Sequence, residues 1–381
     1  MNQLSPEARL RAEIAVARRV VVKVGSSSLA TVERGLDPDR LRGLVAALAA
    51  RQLAGSEVVV VSSGAIAAGL GPLGFTRRPA DLAQMQAAAA VGQGKLLSAY
   101  TTEFAAFGLH VGQVLLTVGD FSRKASYANA LNTFGALTRL GVVPVVNEND
   151  TVATQEITFG DNDRLAALVA ELVRANVLVL LSDVDGLHTA RPGDPGAERI
   201  AYVADLGALS PDVSRPGKSG VGSGGMASKV KAAKVAVEAG IPVALARWDQ
   251  AAAVLAGEPV GTVFAASLKR RSRRHGWLAD ASFARGQLHV DHGAARALTS
   301  TPASLLAAGI RRVEGAFVAG DAVEIVGPDG TVVARGLVAF DAADLPPMLG
   351  RGTADLAATL GARFAREVVH RDDLVLRTTG A

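Results

Sequence analysis

Two lysines in this sequence stand where a lysine is costly unless an anion meets it. Lys23 interrupts the apolar run Val20-Val21-Val22-Lys23-Val24, which ends in Gly25-Ser26-Ser27-Ser28. A turn of glycine and hydroxyls lets backbone N–H groups approach a phosphate closely. Lys229 lies in the first turns of a helical segment that follows Gly220-Val221-Gly222-Ser223-Gly224-Gly225. A glycine loop feeding a helix N-terminus is an anion site, and the lysine is placed to meet the phosphate. Each feature also has a plainer reading: Lys23 snorkelling to the sheet edge, and the glycine loop as a flexible surface connection.

Other polar groups fall at comparable positions. Ser62-Ser63-Gly64-Ala65 ends the run at residues 58–61, and Ser182-Asp183 ends the run at 176–181. Ligands of open α/β sheets collect at the carboxyl ends of strands, so such turns point at one crevice, although either alone serves as an ordinary connection. Asp150, Asp161, Asn162 and Asp163, with Asn147, Glu148 and Asn149, form the densest polar cluster. Helix capping accounts for one of them and leaves the others unexplained. Two separated lysines, several carboxylates and glycine turns match what phosphoryl transfer needs, namely cationic clamps on developing charge. Mg²⁺ prefers phosphate oxygens, water and one or two carboxylates, so no dedicated protein cage is expected.

Residues 220–225 also match G-x-G-x-x-G, which brings a nicotinamide oxidoreductase into consideration. The stretch Ser210-Pro211-Asp212-Val213-Ser214-Arg215-Pro216-Gly217-Lys218 cannot be the buried strand that fingerprint requires. Walker A fails as well, because Met226-Ala227-Ser228-Lys229 follows the glycines.

The elements that must position these groups are legible from periodicity. Apolar runs at residues 20–24, 58–61, 111–116, 142–146, 176–181 and 241–246 alternate with helical stretches at 38–53, 163–174 and 226–239. Runs such as Val177-Leu178-Val179-Leu180-Leu181 lack polar alternation, which predicts parallel strands buried on both faces in a three-layer αβα sandwich. A Thr/Ile-rich alternating stretch at 151–159 predicts a small hairpin between two acidic turns.

The pattern changes after Phe264. Residues 269–274 hold five basic residues in six positions, and beyond them short strands are expected at 287–290, 315–318, 322–326 and 374–376. A turn at Pro328-Asp329-Gly330 and at least one helix within 339–370 complete a small, mostly β domain. The expected division is 1–264, a basic linker 265–282, and 283–381.

Composition narrows the function further. The 381 residues are 49% apolar, 20% charged and only 4% aromatic, which is ordinary for a globular protein of two domains. With no cysteine, disulfides, thiol catalysis and cysteine-ligated metal sites are excluded. Glu7, Arg9, Arg11, Glu13, Arg18 and Arg19 speak against a signal peptide or membrane span there, so a cytoplasmic protein is expected. Net charge is +4, and residues 283–381 carry 10 Lys and Arg against 11 Asp and Glu. An RNA-binding role, suggested by the β-rich domain and basic linker, is therefore not favoured.

In this order the residues resemble the amino-acid kinase family, within it the branch that phosphorylates glutamate. The resemblance rests on Val21-Val22-Lys23-Val24-Gly25-Ser26-Ser27, Ser62-Ser63-Gly64-Ala65-Ile66-Ala67-Ala68-Gly69, Val145-Val146-Asn147-Glu148-Asn149-Asp150, Gly160-Asp161-Asn162-Asp163, Ser182-Asp183-Val184-Asp185-Gly186-Leu187 and Gly222-Ser223-Gly224-Gly225-Met226-Ala227-Ser228-Lys229. The C-terminal part resembles a PUA domain through Val290-Asp291-His292-Gly293-Ala294 and Val369-His370-Arg371-Asp372-Asp373-Leu374.

The resemblance implies ATP- and Mg²⁺-dependent phosphorylation of L-glutamate to γ-glutamyl phosphate, the first step of proline synthesis. It implies that Lys23 and Lys229 hold the phosphates and the transferring group, with Asp163 orienting both lysines. Ser63, Asp150 and Asn162 would bind glutamate, Asp150 taking its ammonium. Ser182, Asp183 and the run Ser223, Gly224, Gly225, Met226, Ala227, Ser228 and Lys229 would contact ATP. Proline feedback inhibition and assembly into dimers or tetramers are implied too. The alternative is another acyl or carbamate kinase of the same family.

Overall fold

The computed structural model describes residues 4–31, 35–152, 161–190, 194, 196–209, 225–267, 284–300 and 303–377. It divides into two compact units, Met1–Thr117 with Leu131–Arg270, and Val118–Ala130 with Arg271–Ala381.

Eight strands form one sheet in the first unit: β1 (Arg19–Val24), β2 (Glu57–Ser62), β3 (Val111–Leu116), β4 (Val143–Glu148), β5 (Val177–Ser182), β6 (Tyr202–Val203), β7 (Val243–Arg247) and β8 (Thr262–Phe264). Their order is β6-β8-β7-β5-β1-β2-β4-β3. Pairings are parallel except β7 with β8. As the unbroken apolar run predicts, β5 is buried along its whole length.

The helices used below are α1 (Pro6–Ala15), α2 (Pro38–Leu53), α3 (Ala65–Leu70), α4 (Leu82–Ala105), α5 (Asp161–Leu172), α6 (Met226–Glu238) and α7 (Ala251–Leu255). Successive strand residues face opposite sides of a sheet. Val20, Val22 and Val24 join a core with Leu44 and Leu48 of α2, Leu96, Tyr100 and Phe104 of α4, and Leu255 of α7. Val21, Val59 and Leu178 are buried on the other face, where α5 packs on β1 and β5 and α6 packs on α5 and β7. Lys23 shares that second face. A one-residue slip of β1 would put its ammonium into the α2–α4 core, so the same alternation that buries the valines fixes where the lysine points.

Helix α1, not expected from the sequence, is capped by the Ser5 hydroxyl and anchored by buried Arg11, which donates to the carbonyls of Glu258 and Val260 at 2.9 and 2.7 Å.

In the second unit β9 (Ala284–Val290), β10 (Ile310–Gly315), β11 (Ala322–Val326), β12 (Val332–Val338) and β13 (Val369–Leu376) form a sheet ordered β10-β9-β11-β12-β13. Helices α8 (His292–Ser300) and α9 (Thr353–Thr359) complete it, over a core that includes Leu288, Ile325, Met348 and Phe364. The strand expected at 315–318 lies upstream instead. Gly315, at φ 93°, ends it, and Arg311-Arg312 had hidden the strand's pattern. The hairpin expected at 151–159 falls outside the described residues apart from a turn at Thr151-Val152, and the basic run 269–274 falls outside them wholly.

Candidate active site

Parallel pairing brings the carboxyl ends of β1, β2, β4 and β5 to one edge of the sheet. Lys23 is paired across the ladder with Val61 and Leu180, and Val24 with Ser62 and Leu181. Just beyond, the Ser63 N–H donates to the Val24 carbonyl at 3.1 Å, which ties the two turns together. Gly64 follows with φ 102°, a left-handed conformation that a side chain disfavours, and lets the chain turn directly into α3.

Asp163, in the first turn of α5, is wholly buried and meets both lysines. Lys23 Nζ lies 2.5 Å from Oδ1, and Lys229 Nζ lies 3.4 Å from Oδ2. Ser228 Oγ stands 2.7 Å from Oδ2 and 2.8 Å from the Gly225 carbonyl, and its single proton favours the charged acceptor. Lys23 is 4% and Lys229 6% exposed. Burial alone would push the Asp163 carboxyl up, but the two ammonium groups and the hydrogen bonds outweigh it and hold it below the ordinary carboxylate range. Lys229 is held below the usual lysine value, chiefly by burial and then by Lys23, with Asp163 and Asp183 working against the shift. Two cations around one anion leave a buried site with positive excess, which is suited to an anionic ligand.

A second cluster adjoins the first through the neighbouring residue. Asn162 Nδ2 donates to Ser63 Oγ at 3.1 Å and to Asn147 Oδ1 at 3.2 Å. Asn147 Nδ2 donates to Gln93 Oε1 on α4 at 2.6 Å. Asp150 is half-buried in the turn after β4, and the Arg78 guanidinium near it is held below the usual arginine value by burial, with Asp150 working against the shift.

Ser182 is buried at the end of β5 and donates to the exposed Asp183 at 2.9 Å. Helix α6 begins at Met226 with Gly225 as N-cap and no side-chain cap, so its first N–H groups face outward from the helix end. Met226, Ala227, Ser228 and Lys229 are thus on the first turn of α6, whereas Ser223 and Gly224 lie outside the described residues.

The structure brings Lys23, Asp163, Ser228 and Lys229 into one cluster, and Ser63 with Asn162 into the adjoining one. Asn147 and Gln93 were missed as site residues. Asn147 stood inside a recognised polar motif, while Gln93 is a lone polar residue in an Ala-rich helix and carried no local signal. Arg40 was missed too. It donates to the Ser27 carbonyl at 3.1 Å, pairs with Asp37 and lies over the Trp248 ring, which fixes the turn after β1.

Residues 18–247 match the amino acid kinase family and residues 286–360 match the PUA domain. A glutamate 5-kinase from Streptomyces coelicolor is 56% identical over 367 residues, covering 96% of this chain and 98% of the relative. A glutamate 5-kinase from Salinispora arenicola is 57% identical over 368 residues, covering 96% and 100%. Among solved structures, carbamate kinase from Giardia lamblia bound to AMP-PNP is 15% identical, with a TM-score of 0.49, and covers 66% of this chain and 99% of that one. With the matched segment spanning the whole site and relatives above half identity along nearly the full length, the chain belongs to the amino acid kinase family.

Proposed function

We propose that the chain transfers the γ-phosphoryl group of ATP to the γ-carboxylate of L-glutamate, giving γ-glutamyl phosphate and ADP, the first step of proline synthesis. The observation that carries this is the buried Lys23–Asp163–Lys229 arrangement at the carboxyl ends of the strands. The relatives named glutamate 5-kinase supply the substrate.

The chemistry needs little beyond positioning and charge. A glutamate γ-carboxylate is already ionised at neutral pH, with an ordinary pKa of about 4.3, so no general base is required. One carboxylate oxygen attacks the γ-phosphorus, the new O–P bond forms, and the bond to the β-phosphate oxygen breaks in line. Lys23 and Lys229 neutralise charge on the equatorial oxygens. Asp163 holds both ammonium groups in place before the phosphates arrive. Ser182, Asp183 and the first turn of α6 from Gly225 to Lys229, with Ser223 and Gly224 ahead of it, take the nucleotide. Ser63, Asp150 and Asn162 hold glutamate, with Asp150 on the ammonium.

Mg²⁺ travels with the phosphates and their water. Both oxygens of Asp163 are engaged by Lys23, Lys229 and Ser228, which leaves that carboxylate unsuited to a metal. Proline as feedback inhibitor, a homo-oligomeric assembly, a cytoplasmic setting and a regulatory C-terminal domain from about residue 283 belong to the same reading. Among the described residues no helix is long and apolar enough to cross a membrane.

Capture of the acyl phosphate as a hydroxamate, with Mg-ATP and a panel of acids, tests the proposal. Glutamate-dependent hydroxamate is expected. ADP release that depends on a different acid or on carbamate would move the chain elsewhere in the family.

A further inference from the structure

The three amides beside Ser63 form a directed chain whose polarity is set by the backbone. The Glu148 N–H donates to Asn147 Oδ1 at 2.9 Å, so that amide must turn its oxygen toward the strand and its Nδ2 toward α4. Gln93 can then meet it only with Oε1, at 2.6 Å, which turns Gln93 Nε2 away from Asn147. At the other end Asn162 spends Nδ2 on Asn147 Oδ1 and Ser63 Oγ, which turns its own Oδ1 away. Among the described residues, Gln93 Nε2 and Asn162 Oδ1 are both buried atoms without a hydrogen-bond partner. A buried amide end left unmade is expensive, and a ligand that completes it removes the cost. The chain therefore ends in one donor and one acceptor, both buried, with the acceptor on the residue that precedes Asp163.

An α-amino acid head carries the complementary pair, a carboxylate that accepts and an ammonium that donates. Asn162 Oδ1 and Asp150 suit the ammonium. Lys23 and Lys229 serve the other end of the substrate, so the α-carboxylate needs a different donor. We propose that Gln93 Nε2 donates to the α-carboxylate of the amino-acid substrate, and that Asn147 is the positioning residue that forces the Gln93 amide into that orientation. The inference rests on the reading of the chain as a glutamate kinase and adds to it a residue that selects for the α-amino acid head.

The scaffold holds Gln93 rigidly against the substrate turn. Its neighbour Gly92 packs so closely on α3 that an added Cβ would stand 1.8 Å from the Ala65 carbonyl oxygen, two residues beyond Ser63. Tyr100, two turns along α4, places its hydroxyl 3.1 Å from Ser62 Oγ at the end of β2. Backbone contact and a buried hydrogen bond thus fix α4 to the segment that carries Ser63.

The test compares L-glutamate, 4-aminobutanoate, which lacks the α-carboxylate, and glutarate, which lacks the ammonium, in the full-length wild type, Gln93→Met and Gln93→Glu. Losing one hydrogen bond to a charged group predicts that Gln93→Met raises KM for glutamate about ten- to a hundredfold, with KM for ATP moving less than about twofold. Glutarate should lose as much as glutamate. For 4-aminobutanoate, kcat/KM, or its inhibition constant against glutamate where turnover is undetectable, should change less than about twofold. Gln93→Glu, which sets like charges together, should weaken glutamate further and spare 4-aminobutanoate. Thermal unfolding of each variant shows that it is folded, and the two variants together keep the test open if one of them is not. Equal losses for glutamate and 4-aminobutanoate would overturn the inference while leaving the kinase reading intact. Absence of glutamate turnover in the wild type would overturn the kinase reading itself, and the inference with it.

Discussion

Lys23 Nζ and Asp163 Oδ1 stand 2.5 Å apart, with the carboxylate wholly buried and the lysine nearly so, while Lys229 approaches the other oxygen of the same carboxylate. The three groups come from β1, α5 and α6, so the arrangement exists only when the sheet and both helices are in register. Each lysine is preorganised before any phosphate arrives. Removing one such contact typically costs about 10²–10³ in rate. Lys23→Ala and Lys229→Ala should each lower kcat by about that factor while raising KM for ATP far less. Steady-state kinetics in both substrates decides it, and a near-normal kcat in either variant would remove that lysine from the transition state.

Much of this frame was legible because burial on both faces writes itself into sequence. The runs at 20–24 and 177–181 hold no polar residue other than Lys23, and that exception marked the site. Asp163 was ambiguous from its local pattern, since a carboxylate at the start of a helix suits capping equally well; the family resemblance linked it to both lysines, and the fold shows its oxygens turned to them. Gln93 was illegible for the same reason: its partner Asn147 lies 54 residues away, and no local period encodes a hydrogen bond of that span. The strand at Ile310–Gly315 was misplaced because two consecutive exposed arginines, Arg311 and Arg312, break the alternation of an edge strand and imitate a loop.

The pH dependence follows from the same cluster. Asp163 is held below its ordinary value, so its contribution to stability is complete above about pH 3.9 and is lost as pH falls through the folded value. Lys229 is also lowered, from 10.5. In that case the unfolded chain keeps the proton more tightly, and the cost of burial shrinks as pH rises from the folded value toward 10.5. The rate needs the charged lysine, so kcat/KM for ATP, which reports the free enzyme, should decline on the alkaline side with a midpoint below the ordinary lysine value. Lys229→Arg, which stays charged, should retain a reduced rate that lacks this limb. A wild-type kcat/KM profile for ATP that stays flat through 10.5 would contradict the assignment.

Asp150 tests the division of labour between the two clusters. If it meets the substrate ammonium, Asp150→Ala removes a charge-assisted hydrogen bond and leaves that ammonium unpaired. KM for glutamate should rise about tenfold or more, and KM for ATP should scarcely move. Arg78, relieved of a neighbouring carboxylate, should remain charged. A fall in ATP affinity instead would place Asp150 with the nucleotide and its metal.

Gly69 and Gly92 interlock reciprocally across α3 and α4. An added Cβ on Gly69 would lie 1.8 Å from the Ala88 carbonyl oxygen, and one on Gly92 would lie 1.8 Å from that of Ala65. Neither obstacle is a side chain that could move aside, so the helices would have to separate. Alanine at either position should cost at least the roughly 1–3 kcal/mol of an overpacked core, read as a lower denaturation midpoint. Because α3 follows Ser63, KM for glutamate should rise in any variant that still folds. A Gly92→Ala protein with wild-type stability and wild-type KM would mean the helices do not pack this closely.

The C-terminal domain offers the sharpest contrast between fold expectation and charge. PUA domains are associated with RNA, yet residues 283–381 carry 10 Lys and Arg against 11 Asp and Glu, a balance of −1. Phosphate contacts supply most nonspecific nucleic-acid affinity, and a domain without positive excess is poorly equipped for them. The five basic residues at 269–274 precede residue 283 in the sequence and are not part of that balance. The two units have separate cores, and the lysine–aspartate cluster draws every member from the first. A chain ending near Phe264 should therefore keep glutamate kinase activity. It should unfold at a lower temperature, because the second unit also takes in Val118–Ala130, which would be left without its companions. Its proline response, Mg²⁺ dependence or oligomer size should differ from the full chain, as expected of a domain that tunes the enzyme. Hydroxamate assays with and without proline, alongside thermal unfolding, measure all of this. A soluble, folded truncation with no activity would show that the two units are not separable in function. Tight, salt-sensitive RNA binding by the full chain would overturn the charge argument.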